Sequence, residues 1–205
     1  MRVISGAFRG RTLHVPVNAT FRPTTDRVKE SVFNILAGRI RWEAAMVCDL
    51  FAGSGSLGIE SLSRGAPRCC FVEASRESLR VLDRNLAELG LAPQADVVRG
   101  KVELFLAGRG PQTGKAQTGK AQTGDTTRPA DPGFDVMFAD PPYHYPEVAP
   151  LLDGMVARLS PDGIAVFEHE RKLRIESTDI LEVFDRREYG STAITFFQPP
   201  HGGNE

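Results

Sequence analysis

Residues Cys48–Glu60 read CDLFAGSGSLGIE, an apolar run that opens into Gly53, Gly55 and Gly58 in the spacing G-x-G-x-x-G before apolar residues return. Glycine lets the backbone turn sharply and approach a ligand closely, so a strand, this loop and a helix in succession form the first crevice of a nucleotide-binding sheet. The strand is expected at 46–51 and the helix runs to Ser63. A second apolar run at 68–73 ends in Glu73, twenty residues after Gly53, where a carboxylate accepts hydrogen bonds from ribose hydroxyls. The pattern implies an adenosine cofactor and leaves its identity open.

Outward from this stretch, apolar runs alternate with amphipathic helices, as in a parallel sheet covered on both faces. A helix from Arg76 to Leu89 buries Leu79, Leu82, Leu86 and Leu89 and ends at Gly90. A strand near 95–99 and a short helix at 101–107 follow. Gln112–Asp125, QTGKAQTGKAQTGD, repeats a five-residue unit with no apolar residue larger than alanine. It cannot offset the entropy of ordering, so 111–132 is expected to be a flexible insertion without chemistry. A fourth strand at 134–139, a helix near 146–159, a fifth strand at 163–168 and a terminal pair near 180–188 and 191–197 complete the chain. Tyr189-Gly190 is too short for a helical crossover, so the last pair is expected to be antiparallel. The fold class is α/β: a Rossmann-like sheet of parallel strands closed by an antiparallel hairpin, spanning 46–198.

Residues 1–45 form an extension. Arg2–Pro16 read as a hairpin or two short strands, and FRPTTDRVKESVFNIL, from Phe21, as a helix capped at Thr25 or Asp26 with Val28, Val32, Ile35 and Leu36 on one face. The net charge of −1 hides an asymmetry. This extension carries eight Lys/Arg against three Asp/Glu, and the rest of the chain 17 against 23. A polyanion responds to local potential, so the extension is the candidate nucleic-acid surface.

Composition is otherwise that of a globular protein, 41% hydrophobic and 25% charged. Cys48, Cys69 and Cys70 sit in apolar runs without metal-type spacing and read as small buried hydrophobes, which favours a reducing cytosol. No export signal or membrane span is evident. A cytoplasmic monomer without metal is expected.

Two cofactors compete for the glycine loop. A dinucleotide prefers an uncluttered helix N-terminus for its pyrophosphate. S-adenosylmethionine brings an ammonium and a sulfonium, which Asp49, at the strand's tip, is placed to face; this favours the sulfonium cofactor. The fourth strand ends in Asp140-Pro141-Pro142-Tyr143. The Asp140 carboxylate and the Pro141 carbonyl, on a chain stiffened by Pro142, offer two acceptors to one amino group, and Tyr143 offers a face on which a planar base stacks. Two acceptors aimed at one NH₂ select an amine substrate. His144 reads as a loop histidine rather than a base.

FRPTTDRVKESVFNIL, DLFAGSGSLGIE, ADPPY and RVISGAFRGR together resemble the bacterial RsmD-type methyltransferases, which methylate the N2 amino group of one guanine in 16S ribosomal RNA. The likeness covers nearly the whole chain apart from the repeat and the last residues. It implies a class I S-adenosylmethionine-dependent fold, with Asp49, Gly53, Gly55, Gly58 and Glu73 around the cofactor and Asp140 to Tyr143 at the transferred methyl. Where such enzymes often place an Asp or Asn near the adenine amino group, this chain has Gly100-Lys101-Val102, so backbone atoms of Lys101 or Val102 are expected to serve. The partner it implies is 16S RNA in the small subunit or an assembly intermediate. Arg9, Arg11, Arg22, Arg27 and Lys29 are expected on the RNA backbone, with Thr24 and Thr25 near the cofactor entrance. DPPY is shared with DNA adenine methyltransferases and its variants with protein-glutamine ones. Those readings, a nicotinamide oxidoreductase and a non-catalytic RNA-binding factor are the alternatives.

Overall fold

The computed structural model describes residues 1–16, 26–108, 133–142 and 144–200. The repeat insertion, Arg22, Thr24, Thr25 and Tyr143 lie outside them. Among the described residues, seven strands form one sheet: β1 (Met46–Leu50), β2 (Arg68–Glu73), β3 (Ala95–Arg99), β4 (Phe134–Ala139), β5 (Leu159–Glu170), β6 (Glu182–Tyr189) and β7 (Thr192–Gln198). Their spatial order is β3-β2-β1-β4-β5-β7-β6. The first five are mutually parallel, and β7 inserts antiparallel between β5 and β6. The order reverses between β1 and β4, and the crevice beyond the carboxyl ends of those two strands is where open α/β sheets bind ligands.

Alternate residues of the central strands feed two cores. Val47, Phe71, Val136, Phe138 and Val166 face α1 (Asp26–Ala37), α2 (Ser56–Ser63) and α3 (Arg76–Glu88). Cys48, Val72, Met137, Ala139 and Phe167 face α4 (Val102–Leu106) and α5 (Val148–Val156). The cysteines are free and buried.

Three expectations need correction. The fifth strand starts at Leu159 and not near 163, because Leu159 pairs with Phe134 ahead of a bulge. A Cβ on Gly163 would meet the Phe134 carbonyl oxygen at 2.5 Å, so this irregular pairing requires glycine. The preceding helix is correspondingly shorter. The N-terminal hairpin reduces to a single antiparallel bridge, Arg2 with Thr12.

That bridge is held by α2. The Glu60 carboxylate, fully buried, accepts the Ile4 and Ser5 N–H groups at 2.7 and 3.0 Å, and the Ser63 carbonyl accepts the Ala7 N–H at 2.7 Å. A Cβ on Gly6 would lie 1.8 Å from that carbonyl oxygen. Further along, the buried Asn85 of α3 accepts the His14 N–H at 2.9 Å and donates to the His14 and Ser54 carbonyls.

Candidate active site

The carboxyl ends of β1, β2, β3 and β4 surround a cleft of about 480 Å³, roofed by Met1, Val15 and Pro16 of the extension. Its floor is the glycine loop. Phe51, Gly53 and Gly55 have φ of 55°, 56° and 80°, and the last begins α2. Gly53 lines the cleft together with Ser54 and Ser56. Gly55 and Gly58 stand behind it and serve helix packing. Cβ atoms there would meet Leu82 Cδ1 at 2.4 Å and Phe71 Cε1 at 2.3 Å, so Gly55 lets α2 approach α3 and Gly58 lets it approach β2 of the sheet.

Glu73 is fixed by backbone. Its Oε2 accepts the Gly53 N–H at 2.8 Å, and its Oε1 accepts those of Ala74 and Ser75 at 2.8 and 2.7 Å. A carboxylate has about four acceptor positions, so one remains for a hydroxyl in the cleft. Lys101 and Val102 line the same cleft after the end of the neighbouring β3, where the Gly100 N–H donates to the Glu73 carbonyl at 2.9 Å, beside Glu103. Glu103 accepts the Tyr145 hydroxyl hydrogen, and the Tyr145 ring meets Phe51 edge-on at 5.3 Å. The motif-based reading missed both Glu103 and Tyr145.

Asp49 is buried at the tip of β1 and lines the cleft, with its Oδ2 accepting the Gly58 N–H at 2.9 Å. Burial pushes its carboxyl up to about 7, opposed by the Gly58 hydrogen bond and reinforced by the Glu73 charge. The folded state therefore holds this proton more tightly than the unfolded chain. Stability is lost as pH rises from about 4 through about 7, and a cation entering the cleft would favour the ionised form. Asp49→Asn keeps an acceptor for Gly58 without the charge, and is expected to raise stability at pH 8 by roughly 1–3 kcal/mol and to have little effect at pH 4. Denaturant unfolding at the two pH values checks this.

Asp140, Pro142 and Tyr145 are shared between this cleft and a second cavity of about 210 Å³, which Pro141, Val148, Phe167 and Leu173 also line. The tip of β4 is thus a wall with a cavity on either side. His144, at φ 60°, places Nδ1 2.9 Å from Glu170 Oε1 at the rim of the second cavity.

On the extension, Arg9, Arg11 and Arg27 are exposed. Lys29 is not, and its assignment to the RNA backbone is corrected. It is fully buried, with Nζ donating to the Arg2 carbonyl at 2.6 Å and to Ser56 Oγ at 3.3 Å, and 3.5 Å from Glu60 Oε2. Arg64 joins the same carboxylate at 3.0 Å. Burial lowers the Lys29 pKa, and Glu60 opposes that shift.

Among the described residues, no group of three or more His, Cys, Asp or Glu is placed to hold a metal, and no helix is long and apolar enough to cross a membrane. The sheet order is that of the class I S-adenosylmethionine-dependent methyltransferase fold. A solved structure provisionally described as the methyltransferase YhhF from Escherichia coli superposes with a TM-score of 0.74 at 30% identity, covering 97% of each chain. The chain belongs to the family described as Conserved hypothetical protein 95, whose model matches residues 1–198. It is 36% identical over 201 residues to YlbH of Bacillus subtilis, provisionally named an rRNA methyltransferase, covering 97% of this chain and 98% of YlbH. It is 38% identical over 146 residues to Ribosomal RNA small subunit methyltransferase D of Haemophilus influenzae, covering 71% of this chain and 65% of that protein.

Proposed function

We propose that the protein transfers a methyl group from S-adenosylmethionine to the exocyclic N2 amino group of a guanine in 16S ribosomal RNA of the small subunit. The observation that carries this reading is the Asp140–Pro142 wall between a cofactor-sized cleft and a base-sized cavity. Relatives named as small-subunit RNA methyltransferases support the RNA substrate.

The cleft suits the cofactor chemically. Asp49 would face its positive methionine end, Glu73 would accept a ribose hydroxyl, Gly53 lets the loop backbone approach, and Lys101 and Val102 would flank the adenine. When bound, S-adenosylmethionine supplies a methyl group on a sulfonium, open to in-line displacement by a nitrogen lone pair.

An exocyclic amine is a poor nucleophile because its lone pair is delocalised into the ring. The Asp140 carboxylate and the Pro141 carbonyl, accepting one N–H each, favour a pyramidal nitrogen and hold its lone pair out of the ring. Assistance is then alignment and electrostatics. Asp140 is also the group that takes up the proton the nitrogen loses.

Because Asp49 ionises near pH 7, affinity for S-adenosylmethionine is expected to rise several-fold between pH 6 and 8 in the wild type, and Asp49→Asn should abolish that rise. Titration calorimetry across this range checks it. Exposed Arg9, Arg11 and Arg27 would engage phosphates, with Arg22, Thr24 and Thr25 proposed alongside them. An Arg9/Arg11/Arg27 alanine variant is expected to lower the slope of log affinity against log salt by about 2–3. An unchanged slope removes the extension from the interface.

The function itself is tested with methyl-labelled S-adenosylmethionine and undermodified small subunits, naked 16S RNA, duplex DNA and glutamine peptide. Label recovered as N2-methylguanosine supports the reading. Label only on adenine or glutamine replaces the substrate.

A further inference from the structure

The mouth of the second cavity carries a turn that none of the steps above uses. It follows β5 at the carboxyl edge of the sheet and reads Arg171-Lys172-Leu173-Arg174. The Leu173 N–H donates to the Glu170 carbonyl at 3.0 Å, so Arg171 and Lys172 are the central residues of a β-turn. The hairpin of β6 and β7 holds this turn from behind. The Ser191 carbonyl accepts the Arg171 N–H at 2.8 Å, and Arg186 Nη2 donates to the Arg171 carbonyl at 2.8 Å. Leu173 lines the cavity, whereas Arg171, Lys172 and Arg174 are exposed. Among the described residues, three guanidinium groups converge on the Glu188 carboxylate, Arg186 by a hydrogen bond, Arg174 at 3.8 Å and Arg171 at 4.0 Å. The Arg186 hydrogen bond and the charges of Arg186, Arg171 and Arg174 hold that carboxyl below its usual range. With Glu170 and Glu176 counted as well, the four cations Arg171, Lys172, Arg174 and Arg186 outnumber the three carboxylates, and Glu170 is taken up by His144. The rim is positive.

We propose that the 171–174 turn holds the RNA backbone on either side of the guanine that enters the cavity, with Arg171, Lys172 and Arg174 on its phosphates and Leu173 against the base. This rests on the guanine-N2 reading above and adds the surface that receives the flanking strand. A base reaches an enclosed site only when it is turned out of its stack, while its two phosphates stay outside at the rim. There they need cations, and a guanidinium fork bonds two phosphate oxygens at once. The ion pairs of Arg171 and Arg174 with Glu188 are long, and both arginine side chains are more than half exposed, so a phosphate displaces these pairs at little cost. The backbone of the turn is already fixed by the hairpin, so little ordering entropy is lost on binding. An acidic protein surface in the particle would meet the same cations, but it would not explain why they stand beside a cavity that Leu173 lines.

The test uses small subunits reconstituted with 16S RNA that carries either phosphates or uncharged methylphosphonates on both sides of the methylated guanine. Wild-type kcat/KM is expected to fall roughly 10- to 100-fold when these two linkages lose their charge. An Arg171→Gln/Lys172→Gln/Arg174→Gln variant should lose about as much on the all-phosphate particle and little more on the methylphosphonate one. Its slope of log kcat/KM against log salt should be shallower by about 2. Unchanged S-adenosylmethionine affinity shows that the variant is folded. Should it not fold, Lys172→Gln/Arg174→Gln, which leaves the pinned Arg171 in place, is expected to give smaller changes in the same direction. A variant with wild-type activity and slope, or a wild type indifferent to the methylphosphonates, overturns the assignment and leaves the function standing. A variant that loses activity yet keeps the full wild-type sensitivity to methylphosphonates overturns it in favour of a contact with ribosomal protein. A wild-type protein that methylates no guanine in the all-phosphate particle removes the parent reading and this one together.

Discussion

Asp140→Ala is expected to lower the methyl-transfer rate by roughly 10²- to 10⁴-fold while leaving S-adenosylmethionine affinity within a few-fold of wild type. The asymmetry follows from position. Asp140 is one of many residues lining the larger cleft, where Asp49, Glu73, Ser54, Ser56 and Lys101 also present polar groups. At the wall between the cavities it is the carboxylate of the motif, and the proposed mechanism has it polarise the amine and receive its proton. Asp140→Asn retains an acceptor oxygen without the charge and should fall between alanine and wild type. Single-turnover transfer beside equilibrium cofactor binding separates the two effects. A full-speed Asp140→Ala enzyme would move the chemistry elsewhere.

Lys29→Ala is expected to cost about 2–5 kcal/mol of stability, because it empties the space of a fully buried side chain and removes one of the two cations on the Glu60 carboxylate, leaving Arg64 as the other. The loss would reach beyond the pair. Lys29 Nζ also holds the Arg2 carbonyl, and Glu60 holds the Ile4 and Ser5 amides, so the segment that roofs the cofactor cleft is tied to α1 and α2 through these two side chains. Lys29→Met with Glu60→Gln should recover part of the loss by removing both charges. Denaturant unfolding of the wild type and the two variants measures this. Single and double variants of equal stability would contradict the coupling.

The alternation of apolar runs and amphipathic helices made the central strands legible, since β1, β2 and β4 are buried on both faces and continuous in sequence, whereas β6, which has no fully buried residue, was legible through the short Tyr189-Gly190 link to β7. The start of β5 was not, because Leu159–Gly163, LSPDG, has the composition of a turn and becomes strand only through its pairing with Phe134 across a bulge. Glu73 and Asp140 could be placed at strand ends because each closes an apolar run, and Asp49 because it interrupts one just ahead of the glycine loop. Glu103 and Tyr145 were missed because their roles arise from a contact between α4 and the loop after β4, forty-two residues apart, with no local signature. Lys29 was misread although the signal was present. Lys29, Val32, Phe33 and Leu36 follow the i, i+3, i+4, i+7 spacing of one helix face, and all four are buried. Counting basic residues along the segment concealed that a lysine on an apolar face needs a buried carboxylate, here Glu60 from another helix.

The most direct test of the central claim is a map of N2-methylguanosine in the small-subunit RNA of the source organism after deletion of this gene, by nuclease digestion and mass spectrometry. The account predicts that one modified guanine is lost, and that it returns with the wild-type gene but not with Asp140→Ala. A complete set of N2-methylguanosines in the deletion strain, or restoration by Asp140→Ala, would contradict it.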